Sequence, residues 1–173
     1  GLVAQADAAE DAAFVEDGRG VVLAGRAFAD GFAVAGRFAT QNYSPFANVG
    51  TAVSPGGNLG VVPAGPEYAF LSGPTVGHVA LFGFEGLLGG SGSHRVDGLV
   101  LRSTAETIAE WETLPRVPAL VTMEPAIVGE GRIAAVNLLP PNSAVDNTSW
   151  LVGSDGGVLL DGALKWVSRW EKP

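Results

Sequence analysis

The clearest pattern of apolar and polar positions lies in the last third of the chain. Residues 119–128 and 133–139 are apolar runs rich in β-branched side chains, joined by Gly129-Glu130-Gly131. That pattern predicts a hairpin of two strands, because β-branched residues suit a pleated surface and glycines suit a tight connection. Near the end, Leu164, Trp166, Ser168 and Trp170 alternate with Lys165, Val167, Arg169 and Glu171. A period of two predicts a half-buried strand with tryptophans on its inner face.

Asp-Gly pairs favour hairpin turns, because both central residues of a type I′ turn need positive φ. They occur at Asp17-Gly18, Asp30-Gly31, Asp97-Gly98, Asp155-Gly156 and Asp161-Gly162. The first two lie between short apolar runs and predict a meander in which residues 13–16 turn into 20–24 and residues 27–29 into 32–35. Ala24-Gly25-Arg26-Ala27-Phe28-Ala29 and Ala35-Gly36-Arg37-Phe38-Ala39 share a fragment. Their spacing differs from that of the Asp-Gly pairs, which argues for similar local chemistry and against a repeat array.

Helical signals are few. Ser103-Thr104-Ala105-Glu106 fits a capping box, Ala105, Ile108, Ala109 and Trp111 follow at helical spacing, and Leu114-Pro115 closes the segment. These predict a short α-helix near 103–114. The acidic stretch 5–13 is a second candidate, so residues 1–13 are expected to be helical or loosely attached. The whole predicts one β-rich domain over residues 1–173. Its expected class is all-β: a mainly antiparallel β-sandwich, jelly-roll-like, with one short helix.

Composition sharpens that picture by position. The chain has 173 residues, 47% of them hydrophobic and only 16% charged, with a net charge of −8. Asp7, Glu10, Asp11, Glu16 and Asp17 precede the first basic residue, whereas between residues 38 and 94 the only formal charges are Glu67 and Glu85. The same charge-poor stretch carries Phe38, Tyr43, Phe46, Tyr68, Phe70, Phe82 and Phe84. Interface cores are depleted in charge and enriched in aromatics, so these side chains are expected either inside the sandwich or across copies of the chain. Leu87 and Leu88, beside Gly89-Gly90, are candidate contacts at a loop tip.

The acidity excludes a general nucleic-acid binder, which needs a basic face. Zero cysteine excludes disulfides, a thiolate nucleophile and cysteine metal sites. The long uncharged run is broken by Pro45, Pro55, Gly56, Gly57 and Pro63, so no membrane span is expected there. Ala4-Gln5-Ala6 resembles the tail of a signal-peptidase site without the regions that precede one.

Candidate chemistry is sparse. His78 and His94 have no metal-ligand spacing. Gly89-Gly90-Ser91-Gly92-Ser93-His94 lacks the frame of a nucleophile elbow. Gly153-Ser154-Asp155-Gly156-Gly157 lacks the lysine and helix of a phosphate loop and reads as a turn. Glu67, Glu85 and Glu124 could pair as glycosidase carboxylates, but no spacing rule ties them together. Asn42-Tyr43-Ser44 and Asn147-Thr148-Ser149 are formal glycosylation sequons, the first followed directly by Pro45.

The expectation is therefore a non-catalytic structural domain that binds other copies of itself or a particle or surface assembly. A virion, phage-particle or surface-filament subunit fits this, located outside the cell or within such a particle. No cofactor and no metal is expected. The alternatives are an extracellular carbohydrate-binding module, with Trp150, Trp166 and Trp170 as glycan-stacking faces beside Asp146 and Asn147, and a hydrolase using carboxylates or Ser91.

Overall fold

The computed structural model describes residues 8–53, 94–111, 115–138 and 155–169, with side chains from residue 12 onward. The protein is β-rich. A mixed four-stranded sheet is built from β1 (Val21–Ala24), β4 (Ala105–Trp111), β5 (Val117–Met123) and β6 (Ile133–Val136). Its order is β1-β6-β5-β4, with β1 parallel to β6 and the other pairs antiparallel. A small second sheet pairs β2 (Thr51–Val53) with β3 (Arg95–Asp97), antiparallel. The helices are α1 (Ala8–Glu16), α2 (Gly36–Thr40) and α3 (Gly156–Val167), with a 3-10 turn at Gly25–Phe28. Three of the four pairings among the described residues are antiparallel, as a mainly antiparallel fold requires, and the parallel β1–β6 pair makes the large sheet mixed.

Strand alternation sorts the core onto the two faces of this sheet. Val22, Ala134 and Val136 pack on one face with Ile108, Trp111 and Leu120, against Leu159, Ala163, Trp166 and Val167 of α3. Leu23, Ile133, Ala135, Val121 and Met123 pack on the other, against Ala12 and Val15 of α1 and against Phe28, Phe38, Tyr43 and Phe46. Phe28 and Phe46 meet with ring centroids 5.0 Å apart, and Phe38 and Tyr43 meet edge-on at 5.7 Å. Among the described residues, then, both sheet faces are covered by helices and by aromatic loops.

The β5–β6 hairpin forms where the sequence placed it, in the register Met123↔Ile133 to Leu120↔Val136. The acidic N-terminal helix is also present, three residues further along than expected, as α1. Asp17-Gly18 does not make a hairpin; it ends α1. Gly18 takes φ 80°, its amide donates to the Val15 carbonyl, and the Arg19 amide donates to the Phe14 carbonyl. This is a Schellman cap, which places glycine in the left-handed region at the first residue past the helix. The Arg19 guanidinium then lies over the Phe14 ring, 5.1 Å from its centroid. The repeated Ala-Gly-Arg fragments become single helical turns, the 3-10 turn and α2, each sending a phenylalanine (Phe28 and Phe38) into the core.

Two elements differ in kind from the expectation. Residues 105–111, read as a helix, form strand β4. The register of β4 on β5 shifts between Thr107 and Ala109 and again between Ala109 and Glu110. A bulge of this kind lets the consecutive Ile108 and Ala109 both point inward. In sequence that imitates the i, i+3, i+4 spacing of a helix. A capping box contributes about 1 kcal/mol, far less than burying Ile108 and Trp111 completely.

Of residues 164–171, read as a strand, 164–169 belong instead to α3 and its C-terminal turn, and Trp170 and Glu171 lie outside the described residues. Leu159, Ala163, Trp166 and Val167 form its buried stripe at i, i+4, i+7 and i+8. The alternation of Leu164 with Lys165 and Trp166 was too short a window to separate the two periods.

Candidate functional site

Two chain crossings define the interior geometry. The first centres on Asn137, one residue past β6 and fully buried. Its Oδ1 accepts from the Val96 amide at 2.7 Å, and its Nδ2 donates to the carbonyls of Val96 at 2.9 Å and Pro118 at 2.8 Å. Its own carbonyl accepts from the indole of Trp111 at 2.9 Å. One amide side chain thus ties β3 of the small sheet to β5 of the large one. Asn137 is a structural clamp that no sequence motif announced.

The second crossing brings the connection from β5 to β6 against the ends of α1 and α3. The Gly131 amide donates to the Val15 carbonyl at 2.8 Å, and Arg169 donates to the Glu130 carbonyl at 3.0 Å. These contacts hold the Glu130 side chain inward, at 8% exposure. There the Tyr43 hydroxyl donates to Glu130 Oε1 at 2.5 Å.

The Tyr43–Glu130 pair lines a cleft of about 530 Å³. One wall comes from the segment after α2 (Gln41, Asn42), one from the turn before β4 (Leu101, Arg102, Ser103, Thr104), and one from the β5–β6 connection (Met123, Pro125, Ala126, Ile127). Asn42 takes φ 63°, a left-handed conformation that asparagine tolerates better than other side chains with a Cβ. The Arg102 guanidinium is held at the rim by its Nε, which donates to the Ser44 carbonyl at 2.8 Å.

Burial, together with the hydrogen bond to Glu130, pushes the Tyr43 phenol well above its usual range. The unfolded chain releases that proton near pH 10, whereas the folded chain keeps it. Stability from this pair is therefore complete below pH ~10 and falls as pH rises past it. Tyr43→Phe is expected to cost about 1–3 kcal/mol at neutral pH, because Glu130 loses its donor. It should also flatten the alkaline fall in stability. Urea unfolding of both proteins at neutral and alkaline pH checks both effects.

Of the aromatic residues singled out in the charge-poor stretch, Phe38, Tyr43 and Phe46 fill the chain's own interior. Tyr68, Phe70, Phe82, Phe84, Leu87 and Leu88 lie outside the described residues, as do Trp150, Trp170, Asp146, Asn147, Glu67, Glu85, Ser91 and His78. Trp166 is buried beneath the Arg132 guanidinium, 5.1 Å from its ring centroid, so its face is not open to a sugar. Glu124 is exposed and pairs with Arg132 at 2.8 Å. No group of three or more His, Asp or Glu side chains among the described residues could hold a metal ion. No helix there is long and apolar enough to cross a membrane.

The surface carries a second feature. Phe14 of α1 and Leu164 of α3, 41% and 57% exposed, flank a groove of about 360 Å³ lined also by Arg19, Gly20, Lys165, Val167 and Ser168. No protein-family model, no curated protein and no solved structure matches this chain, so its functional reading rests on these geometric features.

Proposed function

We propose that the protein is a non-catalytic structural domain that associates with further copies of itself, as a virion, phage-particle or surface-filament subunit does. The observation that carries this reading is the Phe14–Leu164 groove. Two large apolar side chains, Phe14 beneath the Arg19 guanidinium and Leu164, remain partly in water beside the groove between α1 and α3. The occupant we assign is a second copy of this chain. The rim carries the exposed Arg19, and Lys165 there is paired with Asp161 at 2.6 Å, while the chain as a whole carries −8 and concentrates acids near its N-terminus. A copy of the same molecule therefore offers the complementary charge, and such complementarity steers association. A location outside the cell, or inside a particle, belongs to the same reading.

The finer jelly-roll expectation belongs here too. It needs a second sheet laid face to face on the first, whereas β2–β3 is the only other sheet among the described residues and α3 covers one face of the large sheet.

Leu164→Glu tests the assignment, because the side chain is already exposed and the fold does not need it. Light scattering on the variant is expected to show association at least about tenfold weaker than wild type, the loss of one apolar anchor. Association unchanged by Leu164→Glu and by Phe14→Glu would remove the groove from the interface.

A further inference from the structure

We infer that the Tyr43–Glu130 cleft binds a small zwitterion with an aliphatic side chain, of the size of an amino acid or dipeptide. Three observations lead there. Glu130 is a buried carboxylate whose side-chain hydrogen-bond partner is the Tyr43 phenol and which makes no ion pair among the described residues. The half-buried Arg102 lines the same cleft, is fixed by the Ser44 carbonyl, and likewise makes no ion pair among the described residues. Among the described residues, the rest of the lining consists of amides, hydroxyls and apolar groups.

A lone anion would meet Glu130, and a lone cation would meet Arg102. A molecule carrying an ammonium and a carboxylate satisfies both, since charge-assisted hydrogen bonds are the strong ones and a buried unpaired charge is costly. Leu101, Met123 and Ile127 line the same cleft and offer apolar surface for a side chain. A volume of about 530 Å³ lies within the range of sites that take small ligands. Sugar is disfavoured by the lining: Tyr43 is its one aromatic residue among the described ones, and that ring is buried.

This site stands apart from the Phe14–Leu164 groove, so either can fail alone. Isothermal titration of the full chain with leucyl-leucine, beside its N-acetylated, C-amidated form, tests it. Saturable binding of the free dipeptide and at least about tenfold weaker binding of the capped one are expected. Glu130→Gln retains an oxygen to accept from Tyr43, and Arg102→Met retains the aliphatic stem; each should weaken leucyl-leucine binding at least about tenfold, while thermal midpoints report that the variants fold. Should Glu130→Gln not fold, Arg102→Met and the capped dipeptide carry the test. No binding of leucyl-leucine, equal binding of the capped form, or binding indifferent to Arg102→Met would each overturn the inference.

Discussion

Asn137→Leu is expected to lower unfolding free energy by about 4 kcal/mol or more, a large share of the roughly 5–15 kcal/mol that holds a domain folded. The substitution is close to isosteric, so the loss comes from polar groups, not from a cavity. It strands the Val96 amide, the Val96 carbonyl and the Pro118 carbonyl, all now served by one side chain. Each buried group left without a partner costs about 1–3 kcal/mol. The backbone bonds of Asn137, including its amide to the Ala119 carbonyl at 2.8 Å, would survive and hold the end of β6 in place.

Asn137→Asp separates this account from simple crowding. Its shape is retained, but an ionised carboxylate would face two carbonyl oxygens in a fully buried site. The folded state then disfavours ionisation and raises the carboxyl pKa above its unfolded value, so stability should recover as pH falls and the group protonates. Urea titrations at several pH values would show it. An Asn137→Leu protein as stable as wild type would contradict the clamp.

Gly131→Ala is the second large effect, at about 3 kcal/mol or more. A Cβ at this position would overlap the backbone carbonyl of Arg19, which no side-chain rotation can relieve. Arg19 itself is held by the cap of α1, and Gly131 is bonded to Val15, so neither strand of chain is free to retreat. Gly157→Ala gives the opposite sign. A Cβ there meets open space in the first turn of α3, and alanine restricts the unfolded chain. A gain of about 0.4–1 kcal/mol is expected. Thermal unfolding of the two variants side by side reads both signs, and equal effects would contradict the packing described for the β5–β6 connection.

The legibility of this fold followed sequence distance. The β5–β6 hairpin could be read because both strands, their β-branched residues and their glycine connection are contiguous. The helix α1 was readable in outline, since its boundary depends on Gly18, whose cap and hairpin roles look alike in sequence. β4 was misread because its bulge places Ile108 and Ala109 side by side in the core, and only the pairing with β5 reveals that. α3 is not legible because the eight-residue alternation over residues 164–171 imitates a strand, while the helical stripe begins earlier, at Leu159.

Neither the Asn137 clamp nor the Tyr43–Glu130 pair was legible. Each joins residues far apart in the chain, Asn137 to Val96 and Tyr43 to Glu130, and no local motif encodes either. Tyr43 was singled out for its place in a charge-poor stretch. Its hydroxyl, not its ring, proved to be what connects it to the cleft. The low charge of that stretch has a burial reason at Phe38, Tyr43 and Phe46, which lie inside the chain itself.

The proposal that the chain associates with itself is most directly tested by sedimentation equilibrium of the full chain over a wide concentration range. A weight-average mass that rises reversibly from the 17.6 kDa monomer towards a multiple of it is the predicted result. A mass that stays at the monomer value across the whole range would contradict it.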